Sequence, residues 1–263
     1  LSLTLDLVTL GVADEQSARA FYTGAFAATE DHGDSLDLHG IGKLELREIG
    51  TLASDVGTSP ATTGFRGLVL SAIVEAPSDV ETLLGTATDH GATVVKPAKK
   101  QLFGEFTGAY RAPDGALWKL AATAKKNTAP PHAQPKPLEL AVYLGVAKPT
   151  ASQAFYEALG MSADHDYGDK FVDFTRPGGG YPLGLLPRKA LAKDVGVDER
   201  GDGFSAVVLA HTAASRDDLD ALLKAAAAAG GRVTAPASRT ADGRHTGRFT
   251  DPDGYHWRVT APG

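Results

Sequence analysis

The sequence predicts an α+β fold. Four βαβββ units make two tandem domains, with curved mixed sheets and helices outside. Three observations predict it. The segment Ala112-Pro113-Asp114-Gly115-Ala116-Leu117-Trp118-Lys119 returns as Asp251-Pro252-Asp253-Gly254-Tyr255-His256-Trp257-Arg258, each copy a tight turn followed by a strand. From Phe65 onward the two copies align at a constant offset of 139 residues without a gap. About a third of those aligned positions are identical, which marks a duplication rather than chance. Residues 125–137 carry four prolines among polar residues and cannot propagate a helix or a central strand. They form a linker between residues 1–124 and residues 138–263, the two expected domains.

The elements follow in order. Residues 5–12 are a β-rich run. Asp14 suits a helix N-cap, and Ala18, Phe21, Tyr22 and Phe26 recur at helical spacing. Two or three short strands follow, among them residues 35–38 and 43–46. A second unit restarts with a strand at 65–74. A helix begins at Pro77 or Ser78, runs through His90 and stops at Gly91. Strands follow near 93–95, 103–110 and 116–121. The second half repeats the plan, with Phe155-Tyr156 answering Phe21-Tyr22, Gly230 answering Gly91 and Trp257 answering Trp118. Its last helix, residues 217–229, carries an alanine run of strong helix propensity. The long polar stretches 50–63 and 188–203 read as loops, lids or disorder. Gly178-Gly179-Gly180 reads as a hairpin turn, with no helix start after it to hold a phosphate.

Bulk properties narrow the function classes. The 263 residues are 43% hydrophobic, enough for buried cores. The net charge of −6 weighs against a nucleic-acid partner. The absence of cysteine excludes disulfides, thiolate nucleophiles and Cys-ligated metals. No apolar run reaches the ~20 residues a bilayer span needs, so no membrane partner is expected. The start of the chain alternates like a strand and lacks the form of a signal peptide, so a cytoplasmic location is expected.

Asp14 with Ala20-Phe21-Tyr22, the helix ending at Gly91, the Pro-Asp-Gly turns and the run from Ala154-Phe155-Tyr156 to Gly160-Met161 together resemble the vicinal oxygen chelate superfamily. That group includes glyoxalase I, extradiol dioxygenases, and fosfomycin- and bleomycin-resistance proteins. The resemblance covers nearly all of the chain outside the linker and implies two glyoxalase-like domains. In the metal enzymes of that group, histidines on strands 1 and 5 and a glutamate on strand 8 hold a divalent ion. Those positions fall here on Leu7 and Ala141, near Gly67 and Ala206, and on Lys119 and Arg258. None of these side chains offers a metal a lone pair, and the two protonated cations repel it. Glu45 matches an additional strand-4 carboxylate of glyoxalase I, but its counterpart is Gly184. The expectation is therefore no metal and no cofactor.

Strand alternation places Leu7, Thr9, Ser71, Leu117, Lys119, Tyr143, His256 and Arg258 on the pocket faces as ligand-binding candidates, and turns Trp118 and Trp257 into the core. Lys119 and Arg258 would hold an anionic or carbonyl-bearing ligand; alternatively they close ion pairs with a strand such as the one carrying Glu45. The expected function is metal-independent small-molecule binding, similar to the bleomycin-resistance branch and hence to antibiotic resistance. A glyoxalase-like lyase or isomerase acting on a small carbonyl compound, or an enzyme related to the dioxygenases, is the alternative. The partner is then a small molecule, and the protein a monomer or homodimer. Whether pockets form within each half or across the halves is left open.

Overall fold

The computed structural model describes residues 1–31, 35–101, 104–127, 130, 132–175 and 180–263. The turn expected at 178–180 and the start of the strand expected at 103 fall largely outside these. In chain order the elements are β1 (Leu7–Val12), α1 (Glu15–Phe26), β2 (Thr29–Glu30), β3 (Ser35–Asp37), β4 (Lys43–Glu48), α2 (Ile49–Asp55), β5 (Thr62–Gly64), β6 (Leu68–Val74), α3 (Pro77–Asp89), β7 (Thr93–Lys100), β8 (Phe106–Arg111) and β9 (Leu117–Ala122). The second half gives β10 (Glu139–Val146), α4 (Pro149–Ala158), β11 (Ala163–Asp166), β12 (Val172–Phe174), β13 (Leu183–Pro187), α5 (Arg188–Asp194), β14 (Gly201–Gly203), β15 (Val207–Thr212), α6 (Arg216–Ala228), β16 (Arg232–Arg239), β17 (His245–Thr250) and β18 (His256–Ala261).

Local chemistry accounts for the boundaries. The Asp14 carboxylate accepts the Ser17 N–H at 2.7 Å and starts α1. Pro77 occupies the first turn of α3, and Gly91 takes a φ of 101° just past its end, a conformation that favours glycine. The Ser215 hydroxyl caps α6 by accepting the Asp218 N–H.

The strands form two curved eight-stranded sheets, and each draws on both halves of the sequence. The first sheet runs β16-β17-β18-β15-β1-β4-β3-β2; the second runs β11-β12-β13-β10-β6-β9-β8-β7. The first unit is thus joined to the fourth through the antiparallel pair β1–β15, with Leu7 opposite Ala210 and Thr9 opposite Val208. The second unit is joined to the third through β6–β10, with Ser71 opposite Ala141 and Val69 opposite Tyr143. Residues 1–124 and 138–263 are repeats of sequence, while the sheets cross between them. What holds each half together is helix packing. Trp118 of β9 is fully buried against Phe26 and Tyr22 of α1, with ring centroids 4.7 and 5.9 Å apart. Trp257 packs on Tyr156 of α4 in the same way. One apolar cluster contains Val8, Leu10 and Leu209 of the first sheet and Leu70, Val142 and Leu144 of the second, together with the inner faces of α1, α3, α4 and α6. The tryptophans therefore lie in the core, as their strand parity requires.

The stretches expected to be loops are not loops throughout. Residues 49–55 and 188–194 are helices, and β5 pairs with β14 to form a two-stranded ribbon that joins the halves. The Glu48 carboxylate caps α2 by accepting the Gly50 and Thr51 N–H groups, both at 2.7 Å. Leu52, Ala53 and Val56 pack against Phe204, Ala206 and Val208 at one end of the first sheet. Leu191, Ala192 and Val195 pack on Phe65, Val69, Ala109 and Leu117 of the second. So short an amphipathic helix carries too few apolar residues to stand out by periodicity; its helicity comes from the sheet it covers.

Candidate functional site

The first sheet carries an open cleft of about 1000 Å³. Leu7, Glu45, Arg47, Ala210, Arg248 and Arg258 line its floor. Register explains the gathering. Thr9 lies beside Glu45 on the parallel pair β1–β4, and Ala210 lies beside Arg258 on β15–β18. Arg248 of β17 is directly opposite Arg258, so both side chains leave the same face.

Arg258 and Glu45 form the central contact. The Arg258 Nη2 donates to Glu45 Oε2 at 2.6 Å, and the Thr9 hydroxyl donates to the same oxygen at 2.7 Å. The two side chains are only 26% and 17% exposed, so the pair is partly desolvated. Burial by itself would raise the Glu45 pKa. The Arg258 charge, the hydrogen bonds from Thr9 and Arg258 and the more distant Arg47 outweigh it, and the carboxyl lies below its ordinary range. The Arg258 Nε–H is buried without a hydrogen-bond partner. The Arg248 side chain has no hydrogen bond or ion pair among the described residues, and Arg47 has only its long-range attraction to Glu45. Arg47, Arg248 and Arg258 thus surround Glu45, while the rest of the lining adds Asp6 and the ion pairs Lys43–Asp31 and Arg244–Asp242.

The metal site that the fold implies can be checked residue by residue. The residues of β15 that face Leu7 and Thr9 are Ala210 and Val208. Ala206 and Gly67, named from the sequence for the strand-5 position, precede their strands in left-handed backbone with φ of 55° and 80°. Their carbonyls accept the Gly11 and Gly145 N–H groups instead. Leu7, Val208 and Ala210 offer no donor atom, and the one carboxylate, Glu45, is held by a guanidinium. These residues do not fit a divalent ion.

The equivalent face of the second sheet is built differently. Lys119 Nζ pairs with Asp194 Oδ2 of α5 at 2.9 Å and lies 3.7 Å from Glu105. Lys96 Nζ donates to the Asp194 carbonyl at 2.6 Å. The two lysines tie α5 over the sheet, and Leu117 beneath it is only 3% exposed. Tyr143 lies over Gly184: a Cβ there would come within 2.5 Å of its ring. The tyrosine fills the space that Glu45 takes in the first sheet. Its hydroxyl pKa is pushed up to about 12, chiefly by burial and then by Glu139, Asp173, Glu105 and Asp194.

The sequence candidates thus separate. Leu7, Thr9 and Arg258 meet in the open cleft, although Thr9 is fully buried and its hydroxyl is spent on Glu45. Ser71, Leu117, Lys119 and Tyr143 share the second face, where Ser71 is only 2% exposed. His256 shares a face with Arg258 but opens into a separate cavity near Phe204. Arg47 and Arg248 escaped the sequence reading. The strand parity that selected Arg258 could have found Arg248, but only once β17 was paired in register with β18. Away from the cleft, Asp164, His165 and Asp173 cluster at an edge of the second sheet with donor atoms within 4.8 Å of one another. Two of the three are solvent-exposed and His165 already contacts Asp173 at 3.1 Å, so no metal is assigned there.

Residues 138–259 match the profile of the Glyoxalase/Bleomycin resistance protein/Dioxygenase superfamily. Solved structures extend the likeness to the whole chain. A presumptive dioxygenase from Bacillus subtilis subsp. subtilis str. 168 superposes with a TM-score of 0.63 at 15% identity, covering 99% of this chain and 86% of that one. Glyoxalase I from Zea mays gives 0.62 at 17% identity, covering 98% and 92%. No curated protein matches the chain. The two structural likenesses speak for the fold alone. The profile match thus ties residues 138–259 to the glyoxalase/bleomycin resistance/dioxygenase superfamily, and the whole chain shares the tandem fold of those solved structures. Among the described residues, no helix is long and apolar enough to cross a membrane.

Proposed function

We propose that this protein binds a small molecule without a metal, sequestering a metabolite or drug in the cleft of the first sheet. The observation that carries the reading is the Arg258–Glu45 pair standing where the fold's metal enzymes keep a ligand set. A guanidinium held by a carboxylate is a finished interaction and leaves no vacant coordination position for a substrate. Arg47 and Arg248, whose guanidiniums have no carboxylate partner in contact among the described residues, favour a ligand bearing an acid group, which a guanidinium recognises through two parallel hydrogen bonds. The open volume fits a ligand of drug-like size.

A thermal-shift screen of small organic acids and neutral compounds tests this, because a ligand that prefers the native state raises the melting temperature. The expected outcome is a saturable shift that is lost in Arg248→Gln. A shift that persists unchanged in both Arg248→Gln and Arg47→Gln would remove the ligand from this cleft.

A further inference from the structure

We propose a second binding site, independent of the cleft, in a cavity between the two sheets: a site for a small oxyanion such as a phosphate group. The cavity measures about 330 Å³, and its lining includes Arg66, Arg188, Ser205, His256 and Thr58.

Arg188, the first residue of α5, is fixed from several directions. Its Nε donates to the Glu199 carbonyl at 3.2 Å, and its Nη2 to the carbonyls of Gly201 (3.3 Å) and Phe65. The guanidinium lies 5.0 Å from the Phe65 ring centroid. Those contacts engage Nε and Nη2 and leave the Nη1 donors without a protein acceptor among the described residues. Nη1 lies close to Gly67, where a Cβ would come within 2.5 Å of it. Arg66 makes one hydrogen bond, from Nη2 to the Asp114 carbonyl at 2.9 Å. Neither guanidinium has a carboxylate within ion-pair distance among the described residues. The carboxylate on the cavity wall, Asp253, is already engaged by the Ala147 N–H at 2.8 Å and the Ser152 hydroxyl at 2.6 Å. Arg66 is also attracted by the buried Asp114 carboxylate, itself taken by the Tyr22 hydroxyl and the Ala116 N–H, so both nearby carboxylates are committed and the guanidiniums keep free N–H donors beside hydroxyls and an imidazole. Such a set recognises an oxyanion.

The duplication supplies an internal control. At the related place in the other repeat, Ile49 stands for Arg188, Ala116 for Tyr255 and Leu117 for His256, and the cavity beside Ala116 and Leu117 holds only about 10 Å³. Ile49, Ala116 and Leu117 bring no side-chain donor there. That smaller cavity shares Arg66 and Ser205 and adds Arg111, so Arg188, His256 and the open volume are what distinguish the proposed site.

The test is calorimetric titration with inorganic phosphate and with glycerol 3-phosphate, each against chloride at matched ionic strength. Saturable binding at one site per chain is expected, with chemical-shift change at the His256 ring. Arg66→Gln removes one charged hydrogen bond and should lower the melting temperature by a few degrees with the fold kept, while weakening binding roughly tenfold or more. Ser205→Glu places a negative charge in the cavity and should abolish binding. Tighter binding of the ester than of free phosphate assigns the group to a phosphorylated metabolite; the reverse order assigns it to the free ion. Failure of both probes to bind, or equal affinity in the wild type and both variants, overturns the proposal. The cleft reading is untouched by that result, since neither variant alters the cleft floor.

Discussion

Glu45→Gln keeps the shape of the side chain and an oxygen for the Thr9 hydroxyl but removes the charge that faces Arg258. At a centre-to-centre separation of ~4 Å and an effective dielectric of ~20, the pair attracts by roughly 4 kcal/mol before desolvation is counted. Fully exposed pairs contribute at most ~1 kcal/mol, and breaking a fully buried one costs ~3–5 kcal/mol. With 17% and 26% of the side chains exposed, this pair falls between those limits, and a coupling of about 2 kcal/mol is expected. The assay is a double-mutant cycle of Glu45→Gln and Arg258→Met, read from urea unfolding in low and high salt. Methionine keeps the apolar stem of the arginine, so the cycle isolates the charged contact. Each single variant should lose stability, and the double variant should lose less than the sum. The coupling should survive salt, because a partly buried pair is screened less than a surface pair. A coupling below about 0.5 kcal/mol would refute the claim that the pair is a fixed structural contact.

Two further outcomes follow from buried and tethered groups. Asp251 accepts hydrogen bonds from the Tyr156 hydroxyl (2.6 Å) and the Tyr255 N–H (2.8 Å), yet burial pushes its carboxyl up to about 7. A raised carboxyl pKa means that the folded protein holds a proton the unfolded chain releases near pH 4. Stability from this group is greatest below that value and falls as pH rises from about 4 to 7. Asp251→Asn should therefore gain on the wild type steadily across that window, measured as the difference in melting temperature at each pH; a constant difference would contradict it. Lys119→Met should release α5 by breaking the contact with Asp194, raising amide hydrogen exchange in residues 188–195 while β6 and β10 keep their protection. Loss of protection throughout the second sheet would show that the lysine supports the sheet itself.

The repeat made the fold legible. Constant spacing from Phe65 to the chain end, the Asp14 cap, the Pro77 start and the Gly91 stop all define elements by local chemistry, and the structure has them. The crossing of the sheets was not legible, because β1 could pair with either apolar strand, β6 or β15, and nothing local distinguishes them. Helices α2 and α5 were missed because their apolar residues acquire meaning only against the sheet ends they cover. Within the cleft, parity placed Leu7, Thr9 and Arg258 on one face, and the alternative of an ion pair to the strand carrying Glu45 is the contact Arg258 makes. Parity could not tell that Tyr143 occupies the space over Gly184, or that His256 lies beside Phe204, since both depend on pairing and packing between segments distant in sequence.

We propose that the Arg258–Glu45 pair stands in place of a metal in this cleft. Metal analysis of the full chain, purified without chelator and again after dialysis against zinc, nickel, manganese and iron(II), tests it most directly. No stoichiometric ion is expected in the cleft under either condition. One ion per chain, retained through desalting and lost in Glu45→Gln, would contradict it.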